Sequence, residues 1–155
     1  MNISHEQSIV PASRWSAQDR YHPTFVVEVG LSQSLESLRG DMQWWFRALQ
    51  DSVKVVLLAK LYDSVRVIRL EKYVRDTSQT RTGALNTRNM PQPPPQLAQV
   101  VTITTSTVTP DEPAGYTVVG GPLVLEFELL FLRSLNSAAG EKDILYSPAD
   151  LEDTA

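Results

Sequence analysis

Glu28 is the side chain in this sequence best placed to do chemistry, because it interrupts an otherwise apolar run from Phe25 to Val29. Burying a carboxylate in an apolar strand is costly unless the charge is paired, hydrogen-bonded or bound to a cation. Glu28 is therefore either a catalytic or metal-binding carboxylate, or one half of a structural ion pair. The candidate partners for that pair are Lys54 in the next apolar run and Arg39 in the intervening segment.

Four further side chains could complete a site around Glu28, and each also has a structural interpretation. His22 could act as a general base, a role that histidine often has in enzymes, or it is a surface or capping residue. Asp41 could serve as a second acid and Arg39 could hold a phosphate or carboxylate group, or both belong to a solvated helix face or form an ion pair to Lys54 and the sheet. Trp44 could line a pocket, cover a sheet edge or contact a second copy, or it is peripheral core.

The spacing of apolar residues predicts the elements that carry these side chains. Residues 24–29 are predicted to form a strand buried on both faces, which ends at Gly30. A helix is predicted from Ser34 to Gln50, where apolar residues recur at helical spacing. Gly40 inside it is costly for a helix and indicates a close approach to the sheet. The apolar stripe consists of Leu35, Leu38, Met42, Trp45, Phe46 and Leu49.

Two more apolar runs, at 53–61 and 65–74, are predicted to form a β-hairpin. The second of them is charged and is therefore expected nearer an edge of the sheet. A flexible loop is expected over 76–96, because this stretch is polar and ends in prolines. The alternation of Val, Ile and Thr over 99–108 predicts a fourth strand.

The C-terminal part predicts short elements only. Residues 123–132 are predicted to split into a short strand and a helical turn. Ser147 is the predicted N-cap of a last helix, with Pro148 at its first position. With an N-terminal arm over 1–21, these elements predict one α/β domain over 22–155, built on a mixed sheet flanked by helices.

Composition excludes several classes of site. The 155 residues suit one domain. The absence of cysteine rules out disulfides, thiolate zinc sites and cysteine nucleophiles, and two histidines are too few for a histidine-rich metal cage. A net charge of −4 argues against a dedicated nucleic-acid binder.

No apolar run reaches the ~20 residues that span a bilayer, and the polar start lacks a signal-peptide core. We therefore expect a cytoplasmic protein without membrane contact.

The stretch from Pro23 to Leu58 resembles a large group of fungal proteins with the restriction-endonuclease-like, PD-(D/E)XK fold. The matching residues are P-T-F-V-V-E-V-G-L-S-Q-S-L-E-S-L-R-G-D-M-Q-W-W-F, followed by V-K-V-V-L-L. In that group a strand ends in E-V-(small)-x-S, a helix with L-x-x-L-x-x-D-x-x-W-W follows, and a V-K-hydrophobic strand comes next. The segments around Gly121 and from Asp143 to Glu152 are also similar to that group. The resemblance implies a restriction-endonuclease-like mixed sheet flanked by helices in one domain.

The nuclease chemistry implied by this resemblance needs two acidic residues that hold Mg²⁺ and a lysine that orients the attacking water. By the resemblance, Glu28 stands at the second acid, whereas Gly30 stands where the lysine belongs and Ala12 where the first acid belongs. An active nuclease would need Asp19 as a substitute acid and Lys54 as a displaced lysine.

We therefore expect a repurposed, non-nucleolytic protein whose cleft binds or processes an organic small molecule, or binds a protein partner. The cleft is expected between the Glu28 strand, the 34–50 helix and the hairpin. The fungal resemblance implies an accessory cyclisation step in secondary-metabolite assembly, without metal or other cofactor; whether the protein is an enzyme stays open. The predicted catalytic groups are Glu28 and His22, and the predicted ligand contacts are Lys54, Trp44, Arg39 and Asp41.

Two alternatives stay open from the sequence. The first is a Mg²⁺-dependent DNA nuclease that uses Asp19, Glu28 and Lys54, with the two carboxylates within ~4–6 Å of one another. The second is a structural or dimerisation module, in which Trp44 and the apolar 123–132 segment anchor an interface. A homodimer is compatible with the small-molecule hypothesis as well.

Overall fold

The computed structural model describes residues 22–49, 52–75, 93–105 and 115–152. These residues form a five-stranded sheet, a two-stranded sheet and three α-helices, with short 3-10 turns at Asp63–Val65 and Ser137–Ala139. The elements in chain order are β1 (Phe25–Gly30), α1 (Leu35–Ala48), β2 (Val55–Tyr62), β3 (Val67–Val74), β4 (Gln96–Thr105), β5 (Tyr116–Val119), β6 (Leu123–Leu125), α2 (Phe127–Phe131), β7 (Ile144–Tyr146) and α3 (Pro148–Glu152).

The five-stranded sheet has its strands in chain order, from β1 at one edge to β5 at the other. β1 and β2 are parallel and are joined through α1, whereas the later neighbours are antiparallel. Parallel neighbours require a crossover, and α1 supplies it by packing on β1 and β2. The structure thus confirms a mixed α/β sheet flanked by helices. Within the described ranges, no helix has the length and apolar composition needed to cross a membrane.

Helix α1 forms where its apolar stripe predicts it. The Ser34 hydroxyl oxygen caps the helix by accepting a hydrogen bond from the amide of Ser37 at 3.1 Å. The helix ends at Ala48, two residues before the predicted end. Its stripe packs on the sheet with Leu38, Met42 and Phe46 fully buried and with Trp45 and Leu49 at the margin of the same cluster.

The alternation of side chains gives the five-stranded sheet two different faces. Glu28, Leu58 and Glu71 are register partners on neighbouring strands and point to the side of α1, which we call the helix face. Their chain neighbours point the other way, to the distal face, which includes Val27 and Leu57. The distal core adds Leu70, Val101 and Ile103, and Leu123 and Leu151 of the C-terminal segment pack against it.

The sequence prediction is wrong about the environment of two strands. β1 is not buried on both faces, because Val27 and Val29 are 48% and 63% exposed on the distal face. α1 covers the opposite face of this strand. β3 is not near an edge, since it lies between β2 and β4 with Glu71 and Lys72 both buried. Its charges tolerate burial because each has an oppositely charged partner.

Other predicted elements are confirmed with small shifts. The β2–β3 hairpin is antiparallel as predicted, and residues 123–132 divide into β6 and α2. Ser147 precedes α3 and its hydroxyl donates to the Asp150 carboxylate at 2.7 Å. β4 begins at Gln96, so the last residue of the predicted loop belongs to this strand. The sequence pattern misses β5 and β7, which are too short for alternation to identify.

Several predictions fall outside the described residues. These are the N-terminal arm over 1–21, most of the 76–96 loop and the end of the predicted fourth strand at 106–108. Asp19 and Ala12, which the nuclease alternative considers as first acid, belong to this group as well.

The close approach between helix and sheet occurs at Gly30 and not at Gly40. A Cβ on Gly30 would lie 2.8 Å from Cδ1 of Leu38, a residue with no exposed surface. No atom lies within 4 Å of a Cβ built on Gly40. The expectation for Gly40 is therefore wrong, and Gly30 is the residue that lets α1 lie against β1.

We expect Gly30→Ala to destabilise the protein by about 1–3 kcal/mol, because the added methyl overpacks the site occupied by Leu38. The matched control is Gly40→Ala, which should raise the free energy of unfolding by up to about 1 kcal/mol, since it removes a glycine from a helix interior. Urea unfolding of both variants measures the difference. Equal midpoints for the two variants would contradict the packing described here.

Candidate functional site

A cluster of charged groups on the helix face surrounds Glu71, whose side chain is fully buried. Arg39 of α1 donates to both carboxylate oxygens, with Nε and Nη2 at 2.9 and 2.8 Å. Arg69 Nε donates to one oxygen at 2.8 Å, and the Tyr73 hydroxyl donates to the other at 2.9 Å. These hydrogen bonds satisfy both oxygens and connect the helix to the centre of the sheet.

The partners of Glu71 keep it charged despite its burial. Burial alone raises the pKa of Glu71, but the hydrogen bonds from Arg39, Arg69 and Tyr73 outweigh it and lower this pKa to about 2. Burial, together with the neighbouring carboxylate, raises the pKa of Tyr73. The hydrogen bond to Glu71 raises the pKa of Arg39. None of the three therefore exchanges protons near neutral pH, which indicates a structural role for the cluster.

Glu28 has neither of the partners that the sequence proposes. Its Oε1 accepts a hydrogen bond from the indole Nε1 of Trp45, which belongs to α1 and lies over the helix face of the sheet. Arg39 is committed to Glu71. Lys54 lies just before β2, four residues from the register partner of Glu28, which is a separation of about 13 Å along the strand. The predicted ion pair is therefore wrong, because strand register and the rotation of α1 bring an indole to the carboxylate.

The two predicted catalytic groups are not brought together. His22 is exposed and lies outside β1, and six residues of extended chain, roughly 20 Å, separate it from Glu28. A general base acts within hydrogen-bonding reach of the atom that it deprotonates. Glu28 and His22 therefore cannot act on one reacting atom in this arrangement.

The predicted ligand contacts also lie apart from one another. Asp41 accepts a hydrogen bond at 2.6 Å from Nε2 of Gln33, a residue that lies just before α1. Trp44 is 57% exposed and stands edge-on to Trp45, with ring centroids 5.0 Å apart. Trp44 points to solvent, so it forms no wall of the expected cleft.

The expected cleft between β1, α1 and the hairpin is filled by side chains of the core. Leu38, Met42 and Phe46 of the helix pack there on Val56 and Leu58 of β2. A densely packed region of this kind leaves no room for an organic ligand. The predicted position of the cleft is therefore wrong.

The lysine of the nuclease chemistry has no room at its expected position, because Leu38 occupies the space beside Gly30. The lysine closest to that position in the sheet is Lys60, the register partner of Gly30. Its buried ammonium donates to the carbonyl oxygen of Leu31. Among the described residues, no group of three or more acidic or histidine side chains is arranged to hold a metal ion.

A groove of about 500 Å³ lies on the distal face. We call it the distal groove. Strands β1 to β4 form its floor, and the segment from β6 to α3 forms one wall. Of the described residues that line it, Tyr146 is the only one with a titratable side chain. The others are apolar: Phe25, Val27, Val29, Leu57, Ala59, Leu61, Ile68, Leu70, Ile103, Leu123, Leu125 and Leu151.

Polar anchors hold this wall on the sheet. Lys72, which is almost fully buried, donates to the carbonyl of Val124 at 2.7 Å and pairs with Glu126 at 2.8 Å. The Gln99 side chain donates to the carbonyl of Pro122 at 2.6 Å. These two anchors come from β3 and β4, and the Thr24 hydroxyl just before β1 donates to the carbonyl of Leu130 at 2.7 Å. Val27 and Val29 of β1 stay exposed on the distal face, which leaves the groove open along this strand.

Sequence reasoning misses the Glu71 cluster and the distal groove for different reasons. Arg69, Glu71 and Tyr73 alternate along β3, and this spacing already indicates that they share one face. The partner Arg39 lies 32 residues away, which no local pattern reveals. The groove depends on how far the C-terminal wall reaches, and short elements such as β6 and β7 leave no periodic signal.

The Glu71 cluster predicts a specific loss of stability in acid. Because the folded pKa of Glu71 is about 2 and its ordinary value is 4.5, its contribution is complete above pH 4.5 and is lost as the pH falls toward 2. We expect wild type to lose on the order of 3 kcal/mol more than Glu71→Gln over this interval. Urea unfolding at several pH values measures this, and Glu36→Gln on the exposed side of α1 is the control. Parallel pH profiles for wild type and Glu71→Gln would contradict the assignment.

Comparisons with known proteins were made at three levels, and none gave a match. No family model, no curated protein and no solved structure matches this chain. The mixed α/β sheet is established by the structure itself, whereas the restriction-endonuclease-like family stays a prediction from the resemblance. The function must be inferred from the surfaces described above.

Proposed function

We propose that this protein binds an apolar organic small molecule in the distal groove. The observation that carries the proposal is an apolar concavity of about 500 Å³ on the distal face of the sheet. Ligand sites in proteins typically enclose about 300–1,000 Å³ and are lined mainly by apolar side chains. The proposal keeps the predicted class of ligand but moves its site from the helix face to the distal face.

Apolar contact supplies the affinity in this proposal. Val27 and Val29 expose much of their surface along β1, and burying such surface is worth about 25 cal/mol per Å². The floor is a hydrogen-bonded β-sheet that is already formed, so little free energy is needed to order the site for a ligand.

The chemistry of the lining favours binding, or steering by shape, over acid–base catalysis. Glu28 alternates with Val27 and Val29 along β1, so its carboxylate is on the opposite face from the groove. Tyr146 is the only described lining residue that could exchange a proton. A cyclisation guided by the shape of the groove is the reaction class that suits such a site. This is the role in secondary-metabolite assembly that we propose for the protein.

A second copy of the chain is the main competing occupant of the groove. The C-terminal segment exposes apolar side chains that a second copy could cover, among them Leu132 and Leu145, which are each 56% exposed. If two copies covered the groove, the dimerisation alternative would hold in place of small-molecule binding. Light scattering separates the two, since one chain has a mass of 17.3 kDa.

We expect the uncharged fluorophore N-phenyl-1-naphthylamine to bind wild type with a saturable, one-to-one increase in fluorescence. Ala59→Phe places a phenyl ring on the floor of the groove and should weaken binding about tenfold, because overpacking costs about 1–3 kcal/mol. Val29→Lys, at a position that is 63% exposed, should also weaken binding without disturbing the core. Titration at protein concentrations where light scattering reports a monomer measures the effect.

The matched control is Val119→Phe, which adds the same ring to an exposed position on the helix face of β5. The affinity of this variant for N-phenyl-1-naphthylamine should stay close to that of wild type. Absence of saturable binding to wild type, or equal loss in the Ala59 and Val119 variants, would contradict the proposal. A dimer that dissociates only when the probe binds would assign the groove to self-association.

A further inference from the structure

The distal groove adjoins a second cavity at the end of the sheet where β2 turns into β3. The second cavity has a volume of about 350 Å³. Leu61, Ile68 and Ile103 line both spaces, so a molecule in the groove can extend into the second cavity without leaving the protein surface. We call this second space the polar end of the groove.

The polar end carries charged groups, which the described lining of the groove lacks. Arg66 and Asp63 line it together with Tyr62. Lys60 does not line it, because its side chain is on the helix face, where its buried ammonium donates to the carbonyl of Leu31. The described lining of the polar end therefore contains one guanidinium and one carboxylate.

The backbone fixes Arg66 at this position. Its φ of 49° is left-handed, and its amide donates to the carbonyl of Asp63 at 3.2 Å. Its own carbonyl accepts from the amide of Thr105 at 3.1 Å, which ties the turn to β4. The guanidinium forms no ion pair with any carboxylate of the described residues. Its planar set of donors matches the two oxygens of a carboxylate.

We propose that the ligand is an amphiphile whose apolar body lies in the distal groove and whose anionic head, a carboxylate, is bound by Arg66 at the polar end. This inference rests on the proposed function, because it assigns the head group of the same ligand. Asp63 opposes it, since a carboxylate at this end favours a cationic head. The planar donors of Arg66, which can pair with both oxygens of a carboxylate, favour an anion, and the test compares both charges directly.

The test displaces N-phenyl-1-naphthylamine from wild type with three ligands that share a ten-carbon chain: decanoate, 1-decanol and decyltrimethylammonium. We expect decanoate to displace the probe at about fivefold lower concentration than the other two, because only its head pairs with Arg66. Raising the salt concentration should shrink this advantage, since an exposed ion pair is screened.

Arg66→Gln should remove the advantage of decanoate and leave displacement by 1-decanol unchanged. Arg47→Gln, which neutralises an exposed arginine in the last turn of α1, is the matched control and should keep the advantage. Equal displacement by decanoate and 1-decanol in wild type, or stronger displacement by the ammonium ligand, would overturn the inference while the groove proposal stands. Failure of the probe to bind wild type would overturn both.

Discussion

The buried carboxylate of Glu71 is the constraint on which the placement of α1 depends. A charge without exposed surface at the centre of a sheet is tolerable only when its hydrogen-bonding capacity is filled. Strand neighbours supply Arg69 and Tyr73, but the bidentate partner comes from Arg39 on the helix. The helix must therefore present Arg39 to β3, and this rotation turns Trp45 toward Glu28 on β1. The same orientation lets Leu38 occupy the space beside Gly30.

The two faces of the sheet carry different kinds of side chain. The helix face holds Glu71, its partners and a filled core, and its ionisable groups are engaged in structural contacts. The distal face is apolar, and the C-terminal segment held by Lys72 and Gln99 leaves Val27 and Val29 of β1 exposed. The proposed ligand would bind on this face without displacing the core of the helix face. The proposed recognition of a charged head group is at the end of the sheet near Arg66.

Local patterns predict the elements of this fold better than their environment. The apolar stripe and the Ser34 cap specify α1 because a helix depends on neighbours three and four residues apart. The same reasoning misplaces β3, because its charged residues indicate exposure unless the distant Arg39 and Glu126 are known. Local patterns also predict that β1 is buried on both faces. Val27 and Val29 are apolar, but the sequence does not show that the C-terminal segment leaves them exposed. The predicted site places His22 and Lys54 around a cleft beside Glu28, whereas the strand register separates both residues from it.

The central claim is that ligand binding is confined to the distal face of the sheet. The most direct measurement is a methyl NMR titration of protein labelled at valine and leucine methyl groups with N-phenyl-1-naphthylamine. The account predicts saturable shifts at the distal-face residues Val27, Val29, Leu57 and Leu61, and unchanged signals at the helix-face residues Val26, Val56 and Leu58. Shifts at the helix-face methyl groups with none at Val27 or Val29 would contradict it.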